Sequence, residues 1–372
     1  MKYASSRLGG RLRRSGAVTR TIRRLSNGGL RGRSCHEDVA ECWIIFFAGV
    51  PVVTQYIIRR LIMLFPVVIG VSLVTFILMR VVPGDVARVA LGTTATEESL
   101  AEFREANGLD KPLFDWHPPF GQYGEWIGGF LKGDFGESYF HHTPVRDELA
   151  NRLPVTLQLT IMSFFITLVP GIIAGVIAAI RPNSLLDLVT RTSAVAGLSV
   201  PSFWLATLFI ILPAIWFDWM PPFGKVSFFS DPQRNMQQFI LPALAMSIPS
   251  MSGIVRLVRS SVLEVLRQDY VRTARAKGLR ETVVISRHVL KNSLIPVVTV
   301  VGMALGGLLG GAVIIESIFA LPGVGLFGFQ SILSRDYLAV QSLVTLGAFL
   351  VVFMNLVVDI SYVWFDPRIR YS

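Results

Sequence analysis

Charge is scarce in this sequence: Asp, Glu, Lys and Arg make up only 16% of its 372 residues, against roughly a quarter in a globular chain. With 52% hydrophobic residues and a mean hydropathy of +0.55, that shortage excludes an ordinary water-soluble fold, because the apolar residues gather in long uncharged runs. Cysteine is scarce too. The two present, Cys35 and Cys42, precede the first long apolar run, lack the paired spacing of a metal site and are expected to be chemically idle. No Gly-x-x-x-x-Gly-Lys-Ser/Thr segment occurs, so the chain has no phosphate-cradling loop of its own. Neither a Ser/His/Asp set nor a carboxylate pair falls within the apolar runs, which removes the usual hydrolytic chemistries. His141 and His142 are adjacent, diverge and have no third ligand nearby, so no metal or other cofactor is expected on this chain.

What is present is hydrophobic length. A span needs ~20 mostly apolar residues to cross ~30 Å of hydrocarbon, and the runs 61–79, 155–180, 194–217, 239–255, 294–315 and 338–364 answer that description. The earlier run 43–53 is too short. The expected fold class is therefore an all-α membrane protein of six transmembrane helices, with a small external domain between the first and second spans. Between the fourth and fifth runs nine Lys and Arg stand against Glu264, Asp269 and Glu281, which places that loop in the cytoplasm. Both termini then fall on the cytoplasmic side, in agreement with Arg59 and Arg60 before the first span and Arg368 and Arg370 after the last.

The chain divides on this basis into a basic extension (1–53), a first transmembrane helix (54–82), an external segment (83–154), a five-helix core (155–365) carrying the cytoplasmic loop 263–293, and a cytoplasmic tail (366–372). The formal charge of +10 resides in the extension, where ten basic residues and no acid occur up to His36. Such a stretch buries no core: it is a disordered extension or the product of a start codon set too far upstream, and its attraction to anionic lipid is about 1 kcal/mol per basic residue. A nucleic-acid role is the least favoured.

Within the external segment, 96–108 reads as a helix capped by Thr96 and by Asn107-Gly108, whereas 116–129, rich in Pro, Gly and Trp, reads as an interfacial turn. Gly302, Gly306 and Gly310 recur at four-residue spacing in the fifth span, and Gly171 and Gly175 in the second; they either pack the bundle or form a dimer or pathway-lining face. Asp359, near the inner end of the last span, takes a structural partner or a hydrated position, and Glu316, ending the fifth, faces an outer cavity or is solvated at the interface. The basic internal loop reads as two short helices broken at Gly278, the second given an apolar face by Leu279, Val283, Leu290 and Leu294.

The run Asp269-Tyr270-Val271-Arg272-Thr273-Ala274-Arg275-Ala276-Lys277-Gly278-Leu279, continuing to Asn292-Ser293-Leu294-Ile295-Pro296, resembles the coupling loop of importer-type ABC transporter permeases. In that family the general signature is Glu-Ala-Ala, three residues, Gly and a later Ile-x-Leu-Pro. Ala274 and Gly278 hold their positions, Arg272 and Thr273 stand in place of Glu-Ala, and Pro296 falls later than the general spacing, as in the peptide-importer branch. Gly133-Asp134-Phe135-Gly136, Arg152-Leu153-Pro154 and Phe319-Ala320-Leu321-Pro322-Gly323-Val324-Gly325 are similar to the same branch, in the order of the first of its two permease subunits. The resemblance implies an importer of dipeptides or oligopeptides in the inner membrane. Its implied partners are a second permease, two ATP-binding subunits that use ATP and Mg, and an external binding protein. It leaves nickel complexes, glutathione or sugars open as cargo. The rival from another class is an ion-coupled secondary transporter, to which Pro242 and Pro249 lend slight support.

Overall fold

In hydrocarbon a backbone N–H or C=O has no water to bond, so a spanning segment must satisfy these groups within itself. The computed structural model describes residues 52–81, 85–92, 94–115, 121–140 and 142–365, and regular structure among them is helical apart from one isolated bridge, Glu137 with Pro144. The basic extension with its two cysteines, Pro83-Gly84, His141, the 366–372 tail and the side chain of Asp359 lie outside the described residues.

The helices are α1 (Val52–Val81), α2 (Val86–Leu91), α3 (Glu97–Ala106), α4 (Gly121–Leu131), α5 (Val145–Ile180), α6 (Leu185–Ser199), α7 (Ser202–Phe217), α8 (Pro232–Leu266), α9 (Asp269–Ala276), α10 (Glu281–Ser293), α11 (Ile295–Ile318), α12 (Val324–Leu333) and α13 (Tyr337–Phe365). Four of them, α1, α5, α8 and α13, are long and apolar enough to cross a bilayer, and the count reaches six if the bent pairs α6–α7 and α10–α11 each form one span. All packing below lies within the unit Ile57–Ser372.

Several elements depart from the sequence expectation. The run 194–217 is not one helix: α6 and α7 meet at 100°, because Val200 precedes Pro201 and is held extended at φ −96°, ψ 121°, as the proline ring disfavours helical backbone before it. Helix α5 begins at Val145 and carries Arg152-Leu153-Pro154 inside it, and α8 runs unbroken to Leu266. At 1.5 Å per residue each is about 50 Å long, well beyond the hydrocarbon. Charge ends an apolar run but not a helix. The stretch expected as an interfacial turn contains α4, whose Tyr123, Trp126 and Phe130 stack along one face with ring centroids 6.1 and 5.6 Å apart; a stripe at helical spacing outweighs glycines scattered through it. Helix α3 forms with Thr96 as its N-cap, the hydroxyl accepting from Ser99 N–H at 3.3 Å.

The segment between α1 and α5 is fastened to α1 by Phe76, fully buried and in edge contact with Tyr123 at 5.2 Å, and by a 2.9 Å bond between Ser72 and the Tyr123 hydroxyl. Elsewhere along α1, Leu61, Phe65 and Val74 are exposed, as suits a lipid-facing surface. The main core lies where α5, α8 and α11 meet, around Leu159, Phe239, Ala243, Ala312 and Ile315. Gly171 and Gly175 set the approach of α5 to α8: a Cβ on Gly175 would lie 2.8 Å from both Val255 O and Val258 Cβ, and one on Gly171 3.1 Å from Ile254 Cγ2. Gly175→Ala is therefore expected to destabilise the bundle by about 1–3 kcal/mol through overpacking, seen as a lower unfolding midpoint in detergent. Gly253→Ala, with nothing within 4 Å of the new Cβ, should leave that midpoint unchanged.

Candidate functional site

The segment 269–296 folds as a helix, a turn and a second helix. Val271 and Ala274, three apart on α9, are buried and join Val258 and Val262 of α8, Ala179 of α5, and Val284 and Val289 of α10 in one apolar cluster. That seats α9 on an apolar mount made by α10 and the C-terminal part of α8. Its other face is exposed and carries Tyr270, Arg272, Thr273, Arg275, Ala276 and Lys277. Gly278 closes the helix at φ +79°, a conformation that glycine adopts without a Cβ penalty, with its N–H donating to Arg275 O at 2.9 Å.

Side chains brace this turn from both sides. Arg275 grips Glu281 with two bonds, Nη2 to Oε1 at 2.6 Å and Nε to Oε2 at 3.1 Å. The guanidinium holds the Glu281 carboxyl below the usual carboxylate range, so the pair stays charged at neutral pH. Asn292 Nδ2 donates to the Tyr270 hydroxyl at 3.0 Å, and that hydroxyl donates to His288 O at 3.3 Å, linking α9 to a stretch of α10 that carries a π-turn, Val284–Leu290. Pro296 opens α11 at a position where its missing N–H costs nothing. Asp269 accompanies Arg272 at 3.5 Å, and Leu279 is exposed. The segment thus presents a cationic outer face on an apolar mount.

At the opposite end of α11, Glu316 is fully buried and neither open to a cavity nor solvated, contrary to both sequence alternatives. Thr156 Oγ1 of α5 donates to one carboxylate oxygen at 2.6 Å, and Leu326 N–H donates to the other at 3.0 Å. The same Thr156 oxygen accepts from Val324 N–H at 2.8 Å. The first N–H groups of α12, which have no partner within their own helix, are thereby bound by a hydroxyl on α5 and a carboxylate on α11. A Cβ at Gly323 would overlap that carboxylate and one at Gly325 would lie 2.6 Å from Val313 Cα, which explains the glycines of the segment 319–325. Beside this node Gly310, Val313, Phe329, Val344 and Gly347 line an apolar cavity of about 320 Å3.

The model for the "Binding-protein-dependent transport system inner membrane component" family matches residues 171–371, and that for the N-terminal part of such membrane components matches 53–160. The chain belongs to this permease family. It is 41% identical over 319 residues to a Brucella abortus protein assigned to a peptide transport system as its permease, covering 86% of this chain and 100% of that one. It is also 38% identical over 336 residues to the dipeptide transport system permease of Alkalihalophilus pseudofirmus, with 85% and 99% covered. Identity is again 38%, over 318 residues, to the glutathione transport system permease of Escherichia coli, with 86% and 99% covered.

The permease ties α6 to α8 with a pair that sequence inspection passed over. Asp187, fully buried in the first turn of α6, receives Arg259 of α8 through two bonds, Nε to Oδ1 at 2.6 Å and Nη2 to Oδ2 at 2.9 Å, and Asn183 N–H at 2.9 Å. In the sequence Arg259 is one of nine positive charges between the fourth and fifth apolar runs; the local signal is a lone acid in a helix first turn. Asp187→Ala leaves Arg259 without its partner and is expected to cost about 3–5 kcal/mol. Faster hydrogen exchange across α6, with α9 unaffected, is the measurement that checks it. The predicted glycines separate. Gly171 and Gly175 pack against α8, and Gly302 is buried, whereas Gly306 meets only Val351 Cγ1 at 3.7 Å and Gly310 is exposed with nothing within 4 Å.

Proposed function

We propose that this permease is the first of two permease subunits in an ATP-driven importer of dipeptides or oligopeptides, with six spans and both termini in the cytoplasm. The observation that carries the proposal is the construction of 269–296: a cationic, outward-turned α9 whose Val271 and Ala274 join the apolar cluster that α10 shares with α8 and α5. A push on α9 is transmitted to the long helices instead of being absorbed by a loose loop. The pusher would be an ATP-binding subunit that uses ATP and Mg, docked on the face of Arg272, Ala276 and Lys277. Exposed ion pairs there are worth only about 0–1 kcal/mol each, so shape complementarity governs the fit.

The second permease would cover the apolar face around Gly310, Phe329 and Gly347, where small residues allow close helix approach. Cargo would pass between the two, delivered by an external binding protein. Peptide cargo follows the systems to which the relatives are assigned, glutathione being itself a peptide. The test is gentle-detergent purification, mass spectrometry of the bound chains and uptake of a labelled dipeptide into proteoliposomes of the complex. Recovery of an ATP-binding subunit with ATP-dependent uptake is expected. A lone chain whose uptake is driven by an ion gradient would overturn the proposal.

A further inference from the structure

A cavity of about 290 Å3 lies between the external segment and helices α1 and α13, and none of its lining residues belongs to the apolar cavity beside Glu316. Its lining is apolar at Met79, Leu113 and Leu338 and cationic at Arg80, the last basic residue of α1. Its Nε donates to Gln122 Oε1 and its Nη1 to Gln341 Oε1, both at 3.1 Å, and its guanidinium carbon lies 3.6 Å from the centroid of the Phe76 ring. Gln122 is itself fixed, its Nε2 donating to Leu109 O at 3.0 Å and Lys111 O at 2.7 Å. The guanidinium is therefore held in place by neutral groups.

No carboxylate among the described residues forms an ion pair with Arg80. Asp85, the one acid in the cavity lining, is bound by Arg104 and by Ala87 N–H. Asp336 is bound by Ser138 Oγ and Ala339 N–H. Burial pushes the Tyr139 phenol up to about 12, so it stays neutral beside Arg80 and does not act as its counterion. Two further polar groups lack partners among the described residues: Gln341 Nε2, on a fully buried side chain, and the hydroxyl of Tyr337, 7% exposed and one turn away on α13. Both residues line the cavity. Buried polar groups are ordinarily bonded, and a fixed cation with an amide N–H and a hydroxyl beside it is the complement of a carboxylate.

We propose that this cavity binds the terminal carboxylate of a short peptide, held by Arg80, Gln341 and Tyr337, at an accessory site on the outer side of the permease and apart from the passage between subunits. The apolar lining accepts a small side chain, and the volume suits a dipeptide better than a longer chain. The identity of the ligand rests on the proposed function; the carboxylate chemistry does not. Because the cavity joins the external segment to α1 and α13, occupancy stabilises that junction by mass action.

The experiment uses the full-length chain in nanodiscs without any binding protein, and measures thermal unfolding and calorimetric binding with alanyl-alanine, alanyl-alanine amide and succinate. Saturable binding of alanyl-alanine is expected, with the amide at least about tenfold weaker, since it lacks the charge that makes such bonds strong. Tyr337→Phe, which leaves both bonds of Arg80 intact, and Gln341→Leu, which removes one of them while the bond to Gln122 remains, should each weaken binding several-fold, and Arg80→Gln should abolish it. Equal binding of peptide and amide, or binding indifferent to Gln341→Leu and Arg80→Gln in variants that melt as the wild type does, would overturn the site. So would the absence of all binding in a chain whose assembled complex imports peptides. Binding of succinate but not of alanyl-alanine would keep the carboxylate site and count against peptide cargo.

Discussion

Gly278→Pro is expected to uncouple the transporter while leaving the chain inserted and its membrane helices packed. Gly278 sits at φ +79°, and proline fixes φ near −65° and removes the N–H that bonds Arg275 O at 2.9 Å. The turn between α9 and α10 would have to open, breaking the grip of Arg275 on Glu281 and turning the cationic face away from its docking partner. A backbone cost of about 3 kcal/mol corresponds to roughly a hundredfold loss, read as substrate-stimulated ATPase activity of the assembled complex. Space is not the constraint, because a Cβ at this glycine meets nothing within 4 Å. Gly278→Ala should thus bear only the left-handed penalty of about 1–2 kcal/mol and lose activity more mildly. Normal coupling in the proline variant would show that this turn is not the docking element.

Glu316→Ala has the second large expected effect. The carboxylate receives Thr156 Oγ1 and Leu326 N–H, and removing it leaves those donors buried with no acceptor. Each unsatisfied group costs about 1–3 kcal/mol, so a loss of about 3–5 kcal/mol is expected, with α12 released from α5 and α11. Hydrogen exchange should rise across Val324–Leu333, and dipeptide uptake should fall with it because α12 lines the apolar cavity beside the node. Glu316→Gln keeps an acceptor oxygen and should retain much of the stability. If Glu316→Ala neither exchanges faster nor melts lower, the node is not what holds α12.

Much of the shape of 269–296 was legible beforehand because its determinants are local. A glycine between two amphipathic stretches predicts a break, and Gly278 with positive φ supplies it; apolar residues three and four apart predict a buried face, and Val271 and Ala274 provide it. The break between α6 and α7 was missed although Pro201 stood in view, because hydropathy averaged across it. Helix α4 was missed because Gly and Trp were weighed one by one and not as a spaced stripe. Glu316 was misplaced because a carboxylate at the end of an apolar run looks solvated until the residues around it are known.

The sequence by itself determined that the chain lives in lipid, that its regular structure is helical, that the loop between its fourth and fifth apolar runs is basic and jointed, and which family it belongs to. Those properties follow from composition, from helical spacing and from motifs that span a few turns. Only the tertiary structure decided that Gly175 packs while Gly310 stands open, that Asp187 meets Arg259, that Thr156 and Glu316 together hold the start of α12, and that Arg80 is gathered with Gln122 and Gln341. Each of those partnerships joins residues tens to hundreds of positions apart, and a buried charge or a bare glycine acquires its meaning from the neighbour that folding brings to it.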